Sequence, residues 1–189
     1  MKRIIFISII LITNLALGQF NTAFKPAKVF LKSGDTINGI VKVGTKIKFK
    51  THQDSKKITK YTPDDIYGFD LLVKRKIIKY RYRYLKEKDK SILLSHVIHG
   101  KVNLFIDEIR LNDAYNRRID LSYKFYVGRD NDSLATYMST NLGSFKGRKP
   151  VMEYFKDCTS LYAKIESGLF KISEMDEIVE YYNENCNSE

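Results

Sequence analysis

The chain has 189 residues, with 33 lysines and arginines against 22 aspartates and glutamates, for a formal net charge of +11 at pH 7. A hydrophobic fraction of 43% is that of a globular chain with a core and argues against a disordered one. The positive charge favours contact with anionic lipids, acidic polysaccharides or nucleic acid, but it carries little specificity.

The first 18 residues have the pattern of a cleaved secretory signal peptide. Lys2 and Arg3 precede an apolar run over residues 4–17, and the small residues Ala16 and Gly18 predict cleavage before Gln19. The run is shorter than the roughly 20 apolar residues that a membrane helix needs. No cysteine lies near the cleavage point, so a lipid anchor is not expected. We therefore expect a soluble, exported protein, periplasmic or extracellular, with a net charge of +9.

Residues 19–145 are predicted to form an antiparallel β-rich body, because apolar residues return with period two. KVFLK, the turn SGDT and INGIVKV predict a first hairpin. TKIKFK alternates, with Ile47 and Phe49 on one face and lysines on the other. In TPDDIYGF, Thr62 suits a helix N-cap and Gly68 a helix end, so one helical turn is expected there.

The most distinctive surface is the basic strip VKRKIIKYRYRYLKEKDK, residues 73–90. As one strand it would place Tyr80 and Tyr82 on one face and Arg81 and Arg83 on the other. Two readings stay open: the solvated face of a half-buried strand, or a site for an acidic glycan or lipid headgroup. Nucleic acid is less expected because of export. The candidate anion-binding residues are Lys74, Arg75, Lys76, Lys79, Arg81 and Arg83.

Two further hairpins are expected, one between SILLSHVI and KVNLFI and one across GRDND. His96 and His99 lie in a strand that runs into a turn, so their side chains should point apart rather than bind a metal together. Asp130 and Asp132 resemble a calcium loop only faintly, because the glycine and glutamate positions of an EF-hand are absent.

After Pro150 the period changes, and residues 146–189 are predicted to be a helical subdomain. VMEYF suits a helical turn. Asp157 is expected to cap a helix that ends at Gly168, and Ser173 with Asp176 matches a capping box for a second helix. The expected buried stripes are Cys158, Leu161, Tyr162 and Ile165, then Met175, Ile178, Val179 and Tyr182. The fold class is therefore α+β: a mainly antiparallel sheet or partial barrel, followed by two or three short helices.

The two cysteines, Cys158 and Cys186, lie at the predicted start of the first helix and just past the end of the second. Antiparallel packing of the helices would bring them together, and an oxidising compartment would let a disulfide persist. A zinc site needs about four ligands and a cysteine nucleophile needs a base beside it, and neither is suggested locally.

No motif in the chain names a reaction, and no metal or cofactor is expected. The adjacent Asp64 and Asp65 suit the first turn of a helix better than acid–base chemistry. We expect a non-enzymatic binding or structural module of the envelope or extracellular space. A polyanion-binding protein that uses residues 74–90 and a hydrolase with an unrecognised site are the alternatives.

Five segments together resemble small, functionally uncharacterised secreted proteins of Bacteroidetes-type bacteria. They are ALGQF, KSGDTINGIV, YTPDDIYGF, HGKVNLF and the tail from FKDC to IVEYYNENC. The resemblance implies a strand-rich body, a helical end and an envelope or extracellular location. It brings no catalytic residues.

Overall fold

The computed structural model describes residues 23–44, 46–112, 119–129, 133–143 and 147–186. The predicted signal peptide and the pair Asp130 and Asp132 lie outside this part of the chain. The described residues form ten strands and three helices, which confirms the α+β class. The strands are β1 (Lys25–Leu31), β2 (Thr36–Lys42), β3 (Ile47–Lys50), β4 (Thr59–Tyr61), β5 (Ile66–Val73), β6 (Lys76–Leu85), β7 (Lys90–Ile98), β8 (Val102–Asn112), β9 (Ile119–Arg129) and β10 (Thr136–Thr140). The helices are α1 (Lys149–Tyr154), α2 (Thr159–Ser167) and α3 (Met175–Asn185).

All the strands belong to one antiparallel sheet with the order β10-β9-β8-β7-β6-β5-β1-β2-β3-β4. The chain follows neighbouring strands throughout, except that β1 lies between β2 and β5. The sheet curls at its C-terminal half, where the segment before β10 reaches back to β6. There the Tyr84 N–H donates to the Ser133 carbonyl at 2.9 Å, and the Ala135 N–H donates to the Tyr84 carbonyl at 3.0 Å.

The sheet has an inner face, which carries Val29, Val41 and Phe69, and an outer face on the opposite side. The strand period places the core of β1–β5 on the inner face, where these three side chains are at most 1% exposed. Further along the sheet, the helices pack on the same inner face. That core contains Leu104 and Val127 from the strands and the predicted stripes of α2 and α3, except Tyr162, which is half-buried and lies outside it.

The outer face is covered in one half of the sheet only. Across β6–β10, Leu94, Phe105 and Tyr126 are at most 1% exposed and pack with Leu85 and Ala135. Across β1–β5, the described chain places no layer over the outer face, and Leu72 there is 45% exposed. None of the described helices has the length and apolarity to cross a bilayer.

The helix starts differ from the capping prediction. The N-cap of α2 is Cys158 and that of α3 is Glu174, and neither makes a side-chain capping bond. Asp157 instead accepts hydrogen bonds from Arg129, at 3.0 Å, and from the Tyr182 hydroxyl, at 2.6 Å. Asp157 does not cap α2 because Arg129 and the Tyr182 hydroxyl, both distant in sequence, bind its carboxylate. Gly168 ends α2 in a left-handed conformation, as predicted.

The end of α3 is tied to the turn between β7 and β8. Asn183 donates to the Val102 carbonyl and accepts from the Val102 N–H, both at 2.9 Å. Gly100 allows this contact, because a Cβ there would lie 2.5 Å from the Asn183 amide nitrogen. Lys101 donates to the Cys186 carbonyl at 2.8 Å. The side-chain amide of Asn183 thus fixes the end of α3 to the first residue of β8.

The predicted disulfide between Cys158 and Cys186 is confirmed. Its Cα atoms are 5.6 Å apart, within the range that an unstrained backbone allows, and it closes a loop with a sequence separation of 28. Both cysteines are buried within the helix–sheet core. The bond therefore joins the start of α2 to the end of α3, beside the Arg129 and Asp157 ion pair.

The predicted turn at Thr62 is present: the N–H groups of Asp65 and Ile66 donate to the Thr62 carbonyl at 3.1 and 3.4 Å, and the Asp65 carboxylate accepts from the Thr62 N–H and hydroxyl at 2.7 Å. Two other local predictions in the first half of the sheet were wrong. Gly68 does not end that turn but lies inside β5, where a Cβ would come within 2.1 Å of the Tyr80 carbonyl. The basic strip is not one strand: it consists of a turn at Lys74 and Arg75, then β6, then a short 3₁₀ turn before β7.

Replacing both cysteines by serine should lower the free energy of unfolding by about 3–4 kcal/mol, since the unfolded chain then loses a 28-residue cross-link. Urea denaturation measures this loss. Wild type treated with dithiothreitol is the matched control and should fall to the level of the double variant, which the reductant should leave unchanged. Two reactive thiols in the native, non-reduced protein would contradict the prediction.

Candidate functional site

The candidate anion-binding residues of the basic strip divide into two groups with different surroundings. Lys74 and Arg75 form the two-residue turn between β5 and β6, and both have positive φ. Lys76 and Lys79 follow on β6 and are exposed. These four residues lie at or near the hairpin tip, whereas Arg81 and Arg83 lie in the half-buried middle of the strand.

Arg81 is engaged in internal contacts. It donates to Asp70 at 2.8 Å and to the carbonyls of Phe69 and Tyr80 at 3.2 and 2.8 Å. Its guanidinium lies 4.7 Å from the centroid of the Phe30 ring. These contacts use both terminal nitrogens and one face of the group. Arg81 therefore holds β5 to β6 and does not present a bare guanidinium to an anion.

Arg83 has a similar position one pair further along the strand. Its guanidinium lies 4.7 Å from the centroid of the Phe105 ring and donates to the Tyr82 carbonyl at 3.1 Å. Phe105 is fully buried, so Arg83 forms part of the cover over the outer-face cluster of β6–β10. The aromatic half of the strip faces the other way: Tyr80 and Tyr82 pack on the inner core, as the alternation predicts.

The two histidines converge, contrary to the sequence-based expectation. Their ring centroids are 5.5 Å apart. His96 Nε2 and His99 Nδ1 lie 3.0 and 2.9 Å from Oδ1 of the buried Asn103, and both must donate because that oxygen only accepts. The cause is a bulge between His96 and Ile98, which re-aims the end of β7.

The environment of His96 disfavours its charged form. Burial lowers the pKa of His96 to about 4, and Arg81, His99 and Arg83 act in the same direction, while the bond to Asn103 opposes them. The ring also stacks against Phe105, with centroids 4.7 Å apart. His96 is thus a neutral structural donor at physiological pH, in a positively charged neighbourhood that repels metal cations.

A second basic surface lies on the outer face of the uncovered half and includes residues outside the basic strip. Lys42 of β2 pairs with Lys48 of β3, which in turn pairs with Lys60 of β4. Directly opposite side chains on one face have Cβ atoms about 4.5–5.5 Å apart. None of the three has an ion pair or hydrogen bond to another described residue.

Three more lysines share this face, which we call the lysine face. Lys50 lies opposite Ile40, Lys28 lies opposite both Asn38 and Asp70, and Lys79 lies opposite Asp70. The lysine face therefore consists of Lys28, Lys42, Lys48, Lys50, Lys60 and Lys79. The alternation in TKIKFK predicts the orientation of its β3 members. The row Lys42–Lys48–Lys60 depends on strand register, for which the sequence gives no direct signal.

Acidic residues are almost absent from these strands and abundant on the helices. The fully described strands β1–β6 contain ten lysines and arginines and one acidic residue, Asp70, which Arg81 binds. Helices α1–α3 contain two lysines against six acidic residues, four of them on α3. Eight of the ten basic residues lie on the outer face, whereas Lys25 and Lys76 are in register with the inner-face residues Val41 and Val73. Most of the strand charge is therefore on the outer face of β1–β6, and the acidic charge is on the helical side.

Two of the cavities carry few acidic side chains. One of about 400 Å³ opens on the inner face and is lined by Val43, Ile78, Tyr80 and Glu108 among others. One of about 280 Å³ lies near Leu85, Tyr126 and Tyr137, with Glu87 at its edge. Each of these two brings one carboxylate and no histidine. Within the described residues no group of three metal-ligating side chains comes together.

Comparison of the chain with protein-family models, with curated proteins and with solved structures found no match. The similarity to secreted Bacteroidetes-type proteins therefore stays a prediction from the five quoted segments.

The neutral state of His96 predicts a pH-dependent stability. Its pKa falls from the ordinary 6.5 when unfolded to about 4 when folded, so protons favour the unfolded chain and stability is lost as pH falls between these values. His96→Gln keeps a donor toward Asn103 without the titration. The fall in Tm between pH 7 and pH 4.5 should then shrink by about 2–4 °C, the shift that about 1 kcal/mol produces at this size. The pKa difference alone would give more, but solvent screening of this half-buried ring reduces it.

The exposed His52 in the β3–β4 connection supplies the control for this measurement. His52→Gln should leave the pH profile of Tm as in wild type. Identical profiles for His96→Gln and wild type would show that His96 does not carry the pH dependence.

Proposed function

We propose that this chain is an exported envelope or extracellular binding module that binds an anionic partner, an acidic glycan or lipid headgroup, through the outer face of β1–β6. The lysine row Lys42–Lys48–Lys60 carries the proposal. Three like charges directly opposite one another destabilise a sheet, and none of the three forms an ion pair with a described residue. An external anion would relieve this repulsion, so binding and stability are linked.

Support for export comes from the leader pattern together with the disulfide. Cys158 and Cys186 are oxidised in the structure, as is usual for proteins outside the cytosol. We also propose that the leader is cleaved before Gln19. Anionic polysaccharides and lipids are abundant in the compartments that such a leader serves, and nucleic acid is less so.

The proposed surface differs from the strip predicted from sequence. Lys74 and Arg75 at the hairpin tip and Lys79 on the outer face are retained as contributors. Lys76 is exposed beside the tip but lies opposite Val73, on the inner face. Arg81 and Arg83 are assigned instead to positioning the strands, because their guanidinium groups contact Asp70, backbone carbonyls and aromatic rings. Binding would thus rest on the lysine face, in which Lys28, Lys60 and Lys79 are exposed and Lys42, Lys48 and Lys50 are half-buried.

Retention on a heparin column tests the proposal. Lys42→Thr, Lys48→Thr and Lys60→Thr together should lower the salt concentration at elution well below that of wild type, because three clustered charges are lost. The same variant should be at least as stable as wild type in urea, since the cross-strand repulsion disappears. Loss of binding without loss of stability separates a binding face from a structural one.

A matched triple variant controls for net charge. Lys149→Gln, Lys156→Gln and Lys171→Gln remove three exposed lysines from the helical side and should elute close to wild type. Equal shifts for the two triple variants would contradict a localised site. Lys74→Asn with Arg75→Gly tests the hairpin tip, since asparagine and glycine suit its positive φ angles.

A further inference from the structure

The outer face of β1–β6 carries apolar side chains among its lysines. Leu72 and Ile77 form a cross-strand pair and are 45% and 64% exposed. On β1, Pro26 is the next residue in register to Leu72, one step beyond the pair Ala27–Leu71, and it lies opposite Ile40 of β2. We call Ile77, Leu72, Pro26 and Ile40 the apolar row. It runs across four strands, a width of about 15 Å at the usual strand spacing.

Lysines flank the apolar row on three sides. Along the strands on one side lies the row Lys42–Lys48–Lys60, and on the other lie Lys28 and Lys79. Lys50 continues the apolar row itself on β3, opposite Ile40. The hairpin tip with Lys74 and Arg75 directly follows Leu72 and Val73. Exposed apolar side chains are thus surrounded by cationic ones on the same face.

From this arrangement we infer that the anionic partner is a lipid surface, and that Leu72 and Ile77 enter its headgroup layer while the lysine face binds the phosphates. This inference rests on the proposed anion-binding function. An acidic glycan would satisfy the lysines but would leave the apolar pair exposed to water. A bilayer interface satisfies both, because apolar side chains gain free energy by leaving water and lysines gain by approaching anionic headgroups.

A second copy of this chain is not a suitable partner for the lysine face. Two lysine faces brought together would place at least six positive charges on each side of one interface, with Asp70 already bound to Arg81. The charge of the helices also favours binding with the lysine face toward the lipid. The six acidic residues of α1–α3 are repelled by an anionic surface and favour the side away from it. The separated charges of the molecule would therefore orient it before contact.

Vesicle co-sedimentation, which measures the affinity of the protein for lipid, tests the inference. The oxidised protein should bind vesicles with about 30% phosphatidylglycerol at least tenfold more tightly than pure phosphatidylcholine vesicles. Leu72→Thr with Ile77→Thr should weaken binding to the anionic vesicles about tenfold, from lost apolar burial. The same variant should keep wild-type retention on heparin. The control Leu142→Thr with Leu169→Thr, at residues 76% and 67% exposed, should bind vesicles like wild type.

Because the chain contains no tryptophan, a single introduced tryptophan reports independently how deeply its position enters the bilayer. Ile77→Trp should show a blue-shifted emission when anionic vesicles are added, because the indole leaves water. Leu169→Trp should show no shift.

The two proposals fail differently. If Leu72→Thr with Ile77→Thr binds vesicles like wild type and the indole emission of Ile77→Trp does not shift, the lipid inference is wrong, while heparin retention lost with the lysine row still supports anion binding. If the lysine-row variant changes neither heparin nor vesicle binding, the proposed function is wrong. Capture by an acidic protein with no binding to vesicles would also overturn the lipid inference.

Discussion

One-sided burial across β1–β5 is the constraint on which the rest of the structure depends. Val29, Val41 and Phe69 remove their apolar surface from water on the inner face, and the strand period then places every second residue on the outer face. From β6 onward the sheet curls, and the segment around Ala135 helps to cover Leu94 and Phe105 on that outer face. The same sheet thus has a half with both faces buried and a half with one face exposed. Of the two halves of the outer face, the described residues leave only that of β1–β5 uncovered.

The exposed half also explains where the charge of the chain is concentrated. A solvated strand face tolerates any hydrophilic side chain, and here nearly all of the charged ones are basic. Helix α3 has the opposite character: Asp176 and Glu177 lie in its first turn, where the helix dipole stabilises acidic groups. Two local rules of stability, alternation in strands and acidic residues at helix starts, therefore combine into a charge separation across the molecule. Such a field attracts anions over distances of about a Debye length, some 8–10 Å at moderate salt.

Sequence patterns predicted the strands other than β5, the three hairpins and the disulfide, because each depends on local periodicity or on the ends of adjacent helices. They failed where a long-range contact or an atypical turn decides the outcome. Lys74 and Arg75 adopt positive φ in a two-residue turn that is usually built from Asn and Gly, so nothing in the strip indicated a break. The convergence of His96 and His99 needs a bulge, and Asp157 binds Arg129, 28 residues away. The lysine row likewise joins residues whose proximity depends on register.

Arginine and lysine occupy different places in this fold because their side chains differ in chemistry. Arg81, Arg83 and Arg129 each stack on an aromatic ring, on Phe30, Phe105 and Tyr154 respectively. A planar, weakly hydrated guanidinium loses little by such contact and can bond carbonyls and carboxylates at the same time. Lysine is a strongly hydrated point charge on a flexible stem, which suits the uncovered face. A surface built from such side chains recognises charge density more than a fixed arrangement of acceptors. In the proposed lipid binding, selectivity comes from the apolar row between the lysines, since those side chains alone distinguish a lipid interface from a dissolved polyanion.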